Sequence, residues 1–386
     1  MNSHPLDGIV VVAVEQAIAA PLATRHLVDL GARVLKIERP GVGDFARHYD
    51  TAVAGSSAFF VWGNRGKDSL ELDLKSAADR DELERLLAGA DVFIQNLAPA
   101  AAERSGLLAH QVRDRHPHLV SCGISGYGLG GPRTDDKAYD LAIQAEAGAI
   151  ALTGSPDEPS KVGFSVADIA TAMYALSSIL AGLVRRGVHG DGSTIELSML
   201  ECLAEWTASP TYGAVGRGAV PDRAGHRHAM ITPYGMYALA DDSEIMIAVQ
   251  NHPEWVALCT DVFQQPELVD DPRFATNEAR LANLDEWEPR LRAALRARPA
   301  SETRRRLAAA RIAYAEVNDP LAVWEHEQFQ ARDRFLPTAL PTGAAVTYRP
   351  PFNRDGVPDP PARVPALGEH DPQLIAELLR RSADRQ

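Results

Sequence analysis

IVVVAVEQAIAAPLATRHLVDLGARVLKI, residues 9–37, decides the fold. Its opening IVVVAV is a short β-branched run without polar alternation, the pattern of a strand covered on both faces. A helical pattern follows over residues 21–30, Gly31 stops it, and RVLKI at 33–37 reads as a second strand. The alternation continues outward. Residues 76–87 are amphipathic, DVFIQ at 91–95 is strand-like, and residues 119–124 make a further strand. Strands alternating with helices predict an α/β protein on an open, mainly parallel sheet covered on both sides.

Residues 138–150 look helical, and 153–161, with prolines and a glycine, form a loop. From Asp168 onward Ile169, Met173, Leu176, Ile179, Leu180 and Leu183 recur at three- and four-residue spacing, one face of a long helix. GVHGDGS at 187–193 is expected to break it, before a brief strand at 194–197 and a helix from 198 to 206. Between 209 and 225 the composition shifts to Gly, Pro, Arg and Ala, which predicts a linker between a large domain at 1–208 and a smaller one at 226–328. Residues 231–249 suggest a small antiparallel sheet turning at Asp241, Asp242 and Ser243. Residues 255–313 read as mostly helical, with the arginine-rich run 290–311 as a solvated helical surface. Residues 344–364 are proline-rich and extended, and 371–381 form a terminal helix.

The 386 residues are 45% apolar and 24% charged, ordinary for a soluble globular chain of about two domains. A net charge of −13 argues against nucleic acid or an anionic membrane as partner, so an anionic ligand requires a local basic pocket. No apolar run approaches the roughly 20 residues of a membrane span, and MNSHPLDG lacks the layout of a secretory signal. A cytoplasmic protein is expected. Cys122, Cys202 and Cys259 are far apart in apolar contexts, which suggests buried thiols and neither a disulfide framework nor a metal site.

Asp168 is expected to be the first residue of its helix, and two roles fit it. An aspartate there caps the first turn. It is also a candidate nucleophile, because the positive end of a helix dipole favours an ionised carboxylate where water is scarce. SGYGLGGP at 125–132 places Gly126, Gly128 and Gly131 in a formal G-x-G-x-x-G match. It is not a dinucleotide fingerprint, because it runs into Pro132 and polar residues 133–137 instead of opening a helix.

LGARVLKIERPGVGD (30–44), NRGKDSLELDLK (64–75), ADVFIQNLAPAAAERSGL (90–107), KAYDLAIQAEAG (137–148), VGFSVADIATAMYA (162–175) and PALGEH (365–370) occur in one order across the chain. With these the sequence resembles the family III CoA-transferases, which include formyl-CoA and mesaconyl-CoA transferases and α-methylacyl-CoA racemase. The resemblance implies an interlocked homodimer, each subunit a Rossmann-like large domain plus a smaller domain, with residues 329–386 returning to the large one. It also implies that coenzyme A and acyl-CoA are substrates and that Asp168 is the nucleophile. The family's CoA contacts fall on Ile18, Ala19, Arg39, Leu72, Leu74, Lys75, Asn96, Ala98, Arg104 and Lys137. Arg and Lys at strand ends suit phosphate oxygens.

Asp140 falls on an acidic family position and is expected to place the substrate or the nucleophile. Racemases carry a histidine one residue earlier. Here Tyr139 stands there, and a phenol is a poor base at neutral pH. His226, Arg227 and His228, with Arg47 and His48, are candidates for holding a second substrate carboxylate. The expected activity is CoA transfer between carboxylic acids, with a short dicarboxylate on at least one side. The alternatives are an acyl-CoA racemase and a non-catalytic CoA-binding protein.

Overall fold

The computed structural model describes residues 4–352 and 356–385. Two compact units divide them, one drawn from residues 1–149, 161–217 and 332–386, the other from 150–160 and 218–331.

In the larger unit the strands β1 (Val10–Val14), β2 (Arg33–Glu38), β3 (Asp68–Glu71), β4 (Val92–Gln95), β5 (Val120–Ser125) and β6 (Ser193–Ser198) form one sheet in the order β3-β2-β1-β4-β5-β6. Every neighbouring pair is parallel. All five residues of β1 are buried, as its unbroken β-branched run predicts. The helices that return the chain are α1 (Ala19–Asp29), α2 (Ala58–Asn64), α3 (Ala77–Gly89), α4 (Pro99–Arg104) and α5 (Ala109–Arg115). The segment expected to be helical at 138–150 is two pieces, α6 (Asp140–Glu146) and α7 (Ala149–Leu152), separated where Gly148 takes φ +79°.

α8 (Val166–His189) is the longest helix and packs on α1, β5 and β6. It starts two residues before Asp168, with Ser165 as N-cap, so Asp168 is the third helical residue and not the cap. It also runs through Gly187, where a break was expected, and ends at Gly190, whose φ of +84° gives a left-handed C-cap. Gly182 lets it lie close to the sheet, since a Cβ there would stand 2.7 Å from Val120 Cγ1 and 2.8 Å from Ser193 Oγ. Contrary to the sequence expectation, α8 is long and apolar enough to cross a membrane by length and composition alone. Half of that window is buried, as in a core helix. Cys122, Cys202 and Cys259 are buried and free.

α9 (Met199–Trp206) is followed by α10 (Ala208–Arg217), a helix in the stretch whose composition suggested a linker. The smaller unit holds an antiparallel sheet of β7 (Tyr234–Ala238), β8 (Glu244–Ala248) and β9 (Ala313–Glu316). Its core gathers Tyr237, Ile245, Ile247, Trp255, Trp287 and Leu291. Within the run 290–311 Leu291, Leu295 and Leu307 are buried, so that surface is amphipathic rather than wholly solvated. Back in the larger unit, β10 (Phe335–Leu340) and β11 (Gly343–Tyr348) form a hairpin whose second strand takes up the start of the stretch 344–364 expected to be extended. The terminal helix Pro372–Arg385 packs on α3.

That last contact is close at Gly89, where a Cβ would stand 2.0 Å from the Leu378 carbonyl oxygen. Gly89→Ala is therefore expected to destabilise the chain by about 1–3 kcal/mol in urea denaturation. Gly187→Ala, whose Cβ would meet nothing within 4 Å on α8, is expected to stabilise it by about 0.5–1 kcal/mol in the same measurement.

Candidate active site

The strand order reverses between β1 and β4, so the loops leaving those strands part and open a crevice at their C-terminal ends. A cleft of about 710 Å³ occupies it. It is lined after β1 by Gln16, Ala17, Ile18 and Ala19, after β4 by Asn96 and Ala98, and further on by Gly126, Lys137, Tyr139, Asp140 and Asp168. Eight of the candidate site residues singled out from sequence, and Gly126 of the glycine loop, thus meet in one place. Gly126 makes part of this possible, because a Cβ there would stand 2.1 Å from Ala138 Cβ, on the strand of chain that leads into Tyr139 and Asp140.

Asp140 holds the start of α8. Its Oδ1 accepts the N–H of Ala167 at 2.8 Å and of Asp168 at 3.2 Å, and its Oδ2 accepts Gln144 Nε2 at 2.7 Å. Gln144 in turn accepts the Val162 N–H and donates to the Phe164 carbonyl. The cap comes from another helix, which explains why Ser165 contributes no side-chain bond. Asp168 itself is 9% exposed, and among the described residues nothing donates a hydrogen bond to its carboxylate. Burial, and secondarily the charge of Asp140, push its pKa up to about 7. The expectation that the helix end keeps it ionised is corrected: the free N–H groups of that end point at Asp140 instead.

The turn between β1 and α1 is pinned from two sides. Asn96 accepts the Gln16 N–H at 2.9 Å and donates to the Gln16 carbonyl at 2.8 Å. Its side-chain amide thus holds the turn through the backbone of Gln16, while Asn96 also lines the cleft. Asp44 accepts the Ala17 N–H at 3.1 Å, and Ala17 takes φ +61°. Beneath lies a buried charge cluster in which Lys36 reaches Asp44 at 2.9 Å and Glu15 at 3.5 Å, while Lys67 reaches Glu15 at 2.5 Å. Burial works against the Lys36 ammonium, but Glu15, Asp44 and Glu38 together raise its pKa.

Arg39, Lys75, Arg104 and Lys137 are all exposed and none has an ion-pair partner among the described residues. In chain order they follow β2, β3, β4 and β5: Arg39 comes directly after β2, Lys75 four residues after β3, Arg104 at the end of α4, and Lys137 in the segment between β5 and α6, where it lines the cleft. Leu72 is buried and Leu74 half-buried against the core beside β3, and Arg80 organises the turn by donating to the Leu74 and Lys75 carbonyls.

Arg47 does not fit a substrate role. Its guanidinium binds Glu38 at 2.8 and 2.6 Å, donates to the Pro365 carbonyl, and lies 3.8 Å over the Phe60 ring. His48 bonds the Val42 carbonyl. His226, Arg227 and His228 belong to the smaller unit. There Arg227 faces Glu288 at 4.0 Å, and His228 accepts the N–H groups of Met230 and Ile231 while stacking on Tyr234. Sequence reasoning missed the aromatic side of the cleft, Phe45, Tyr49 and Phe59, with ring centroids 5.7 and 5.5 Å apart. Burial, then Asp44, Asp168 and Tyr139, push the Tyr49 phenol up to about 12, so it stays a donor. These rings share no sequence period, and only the turn Phe45–His48 brings two of them together.

The model of a family described as CoA-transferase family III matches residues 6–371. The acetyl-CoA:oxalate CoA-transferase of Acetobacter aceti is 35% identical over 77% of this chain and 76% of its own. The succinate–glutarate CoA-transferase of Agrobacterium fabrum is 31% identical over 97% and 96%. A crystal structure of a CaiB/BaiF family protein from Brucella suis superposes with a TM-score of 0.85 at 32% identity, covering 98% of this chain and 100% of that one. With its parallel sheet, its cleft at the point of strand reversal and a match over nearly its whole length, the chain belongs to CoA-transferase family III.

Proposed function

We propose that this CoA-transferase moves CoA between carboxylic acids through an acylated Asp168, with a short dicarboxylic acid on at least one side. The observation that carries this is a buried carboxylate that receives no hydrogen bond among the described residues and lines the cleft where an open α/β sheet gathers its ligands. Asp168 attacks the thioester carbonyl of the donor, the C–S bond breaks, and CoA leaves as thiolate, giving an acyl–aspartyl anhydride. The thiolate attacks the aspartyl carbonyl, which frees the first acid and leaves an aspartyl-CoA thioester. A second acid attacks that thioester, and the steps run in reverse to the new acyl-CoA. One thioester replaces another, so the exchange is close to isoenergetic.

Arg39, Lys75, Arg104 and Lys137, exposed and without an ion-pair partner among the described residues, suit the CoA phosphates in this scheme. Leu72 and Leu74 offer an apolar edge for the adenine. Asp140 positions the nucleophile through the first turn of α8. The named relatives act on oxalate, succinate and glutarate, which supports a short dicarboxylate here. The enzyme works in this scheme as an interlocked homodimer in the cytoplasm. Tyr139, 69% exposed at the N-cap of α6, disfavours α-proton exchange by a racemase.

Hydroxylamine trapping during incubation with succinyl-CoA is expected to place the modification on Asp168. Asp168→Ala is expected to lower turnover by about 10³-fold or more; a label elsewhere, or normal turnover, rejects the scheme. Because only the ionised form attacks, kcat/KM is expected to rise with pH through about 7. Asp140→Asn removes the neighbouring charge and is expected to move that midpoint down. Stability carries the opposite sign. A carboxyl raised in the folded state contributes stability below its ordinary range, which is lost as pH climbs through about 7. Asp168→Asn is therefore expected to gain more over the wild type in urea melts at about pH 8 than at about pH 5.

A further inference from the structure

Asp44 lines no part of the cleft, yet two of the cleft's walls hang on it. Asp44 is 4% exposed, and its carboxylate divides its bonds. Oδ1 accepts the Ala17 N–H at 3.1 Å and the Ala46 N–H at 2.9 Å, while Oδ2 receives Lys36 Nζ at 2.9 Å. The Asp44 N–H is held by Glu38 Oε2 at 2.8 Å, and the same Glu38 accepts Ser69 and Arg47.

The first of these bonds sets the turn before α1. Ala17 at φ +61° occupies a conformation that a Cβ disfavours, so it persists only where neighbours hold it. Asn96 fixes Gln16 on one side and Asp44 fixes Ala17 on the other. The consequence is that Ile18 and Ala19, where α1 begins, line the cleft that Asp168 also lines. The second bond caps the short helix Phe45–His48, which delivers Phe45 and Tyr49 to the same cleft. Lys36, fully buried and shared with Glu15, fixes the carboxylate that does both.

We propose that Asp44 is a positioning residue for CoA transfer, registering the β1–α1 turn and the aromatic wall against Asp168 through one buried carboxylate. This rests on the acylation of Asp168 proposed above. A displacement of about 1 Å at a reacting centre lowers rates by up to about 10²-fold without the displaced group touching substrate. Loss of Asp44 therefore acts on the chemical step rather than on CoA affinity.

The test is the single-turnover rate of Asp168 acylation by succinyl-CoA, followed by mass spectrometry, beside the KM for that donor and a thermal melt. Asp44→Ala removes both bonds, and Asp44→Glu keeps the charge near Lys36 while moving the acceptor away from Ala17. Both are expected to slow acylation about 10- to 100-fold, with KM for the donor changed less than about threefold. Asp44→Asn retains an oxygen for the Ala17 and Ala46 N–H groups but gives up the ion pair with Lys36, so it is expected to acylate faster than Asp44→Ala and Asp44→Glu while melting below the wild type. Should Asp44→Ala not fold, the comparison of Asp44→Glu with Asp44→Asn decides. Folded Asp44→Glu acylating at the wild-type rate, or a loss confined to KM or to melting temperature, overturns the positioning role. A wild-type enzyme that carries no acyl group on Asp168 overturns instead the mechanism on which it rests.

Discussion

Two carboxylates meet at the first turn of α8, and only one of them receives the backbone donors. Asp140 takes the Ala167 and Asp168 N–H groups and is steadied by Gln144. Asp168, the third residue of the helix, keeps a buried carboxylate with no donor among the described residues. In most proteins such a group is a liability, since burying an unpaired carboxylate favours its neutral form. Here the same feature leaves its oxygens facing a cleft, where an incoming carbonyl carbon meets no competing hydrogen bond.

The surrounding fold fixes this arrangement at several further points. Gly182 brings α8 within contact of β5 and β6, and Gly126 brings the glycine loop against Ala138, just ahead of Asp140. On the opposite wall the buried cluster of Glu15, Lys36, Asp44 and Lys67 replaces an apolar core beneath the β1–α1 turn. Buried charges of this kind add little net stability over apolar packing, but removing one member leaves another uncompensated. Their geometry is correspondingly fixed, and so is that of the turn above them.

Much of the larger unit was legible because its signals are local. The IVVVAV run, the stop at Gly31 and the repeated strand and helix patterns gave the parallel sheet, and the resemblance carried by VGFSVADIATAMYA pointed to Asp168. What stayed hidden depends on contacts distant in sequence. The cap on α8 comes from Asp140, whose bond to Ala167 spans 27 residues, so no pattern around Asp168 reveals that the helix starts at Val166. Gly187 looked like a break because glycine disfavours helix interiors, but packing of the apolar face overrides that preference. The hairpin Phe335–Tyr348 was hidden by Pro337 and a polar turn, and strand β9 by the arginine-rich helices before it. Arg47 looked available to an anion until Glu38, nine residues earlier, proved to hold it in two bonds.

Charge shows most clearly how local geometry overrules composition. The chain carries −13, yet Arg39, Lys75, Arg104 and Lys137, in the segments that follow β2 to β5, stand exposed without an ion-pair partner among the described residues. At physiological salt the acidic surface is screened over about 8 Å, so an anion near one of them responds mainly to the cations beside it. In the proposed reaction a related argument applies at Asp168. A dicarboxylic donor brings a second carboxylate toward the nucleophile, and two like charges 4 Å apart repel by about 4 kcal/mol at an effective dielectric of 20. A carboxyl of ordinary pKa would impose that repulsion on every encounter. One poised near 7 admits the anion while neutral and attacks once ionised, so the burial that disfavours its charge also suits it to an anionic substrate.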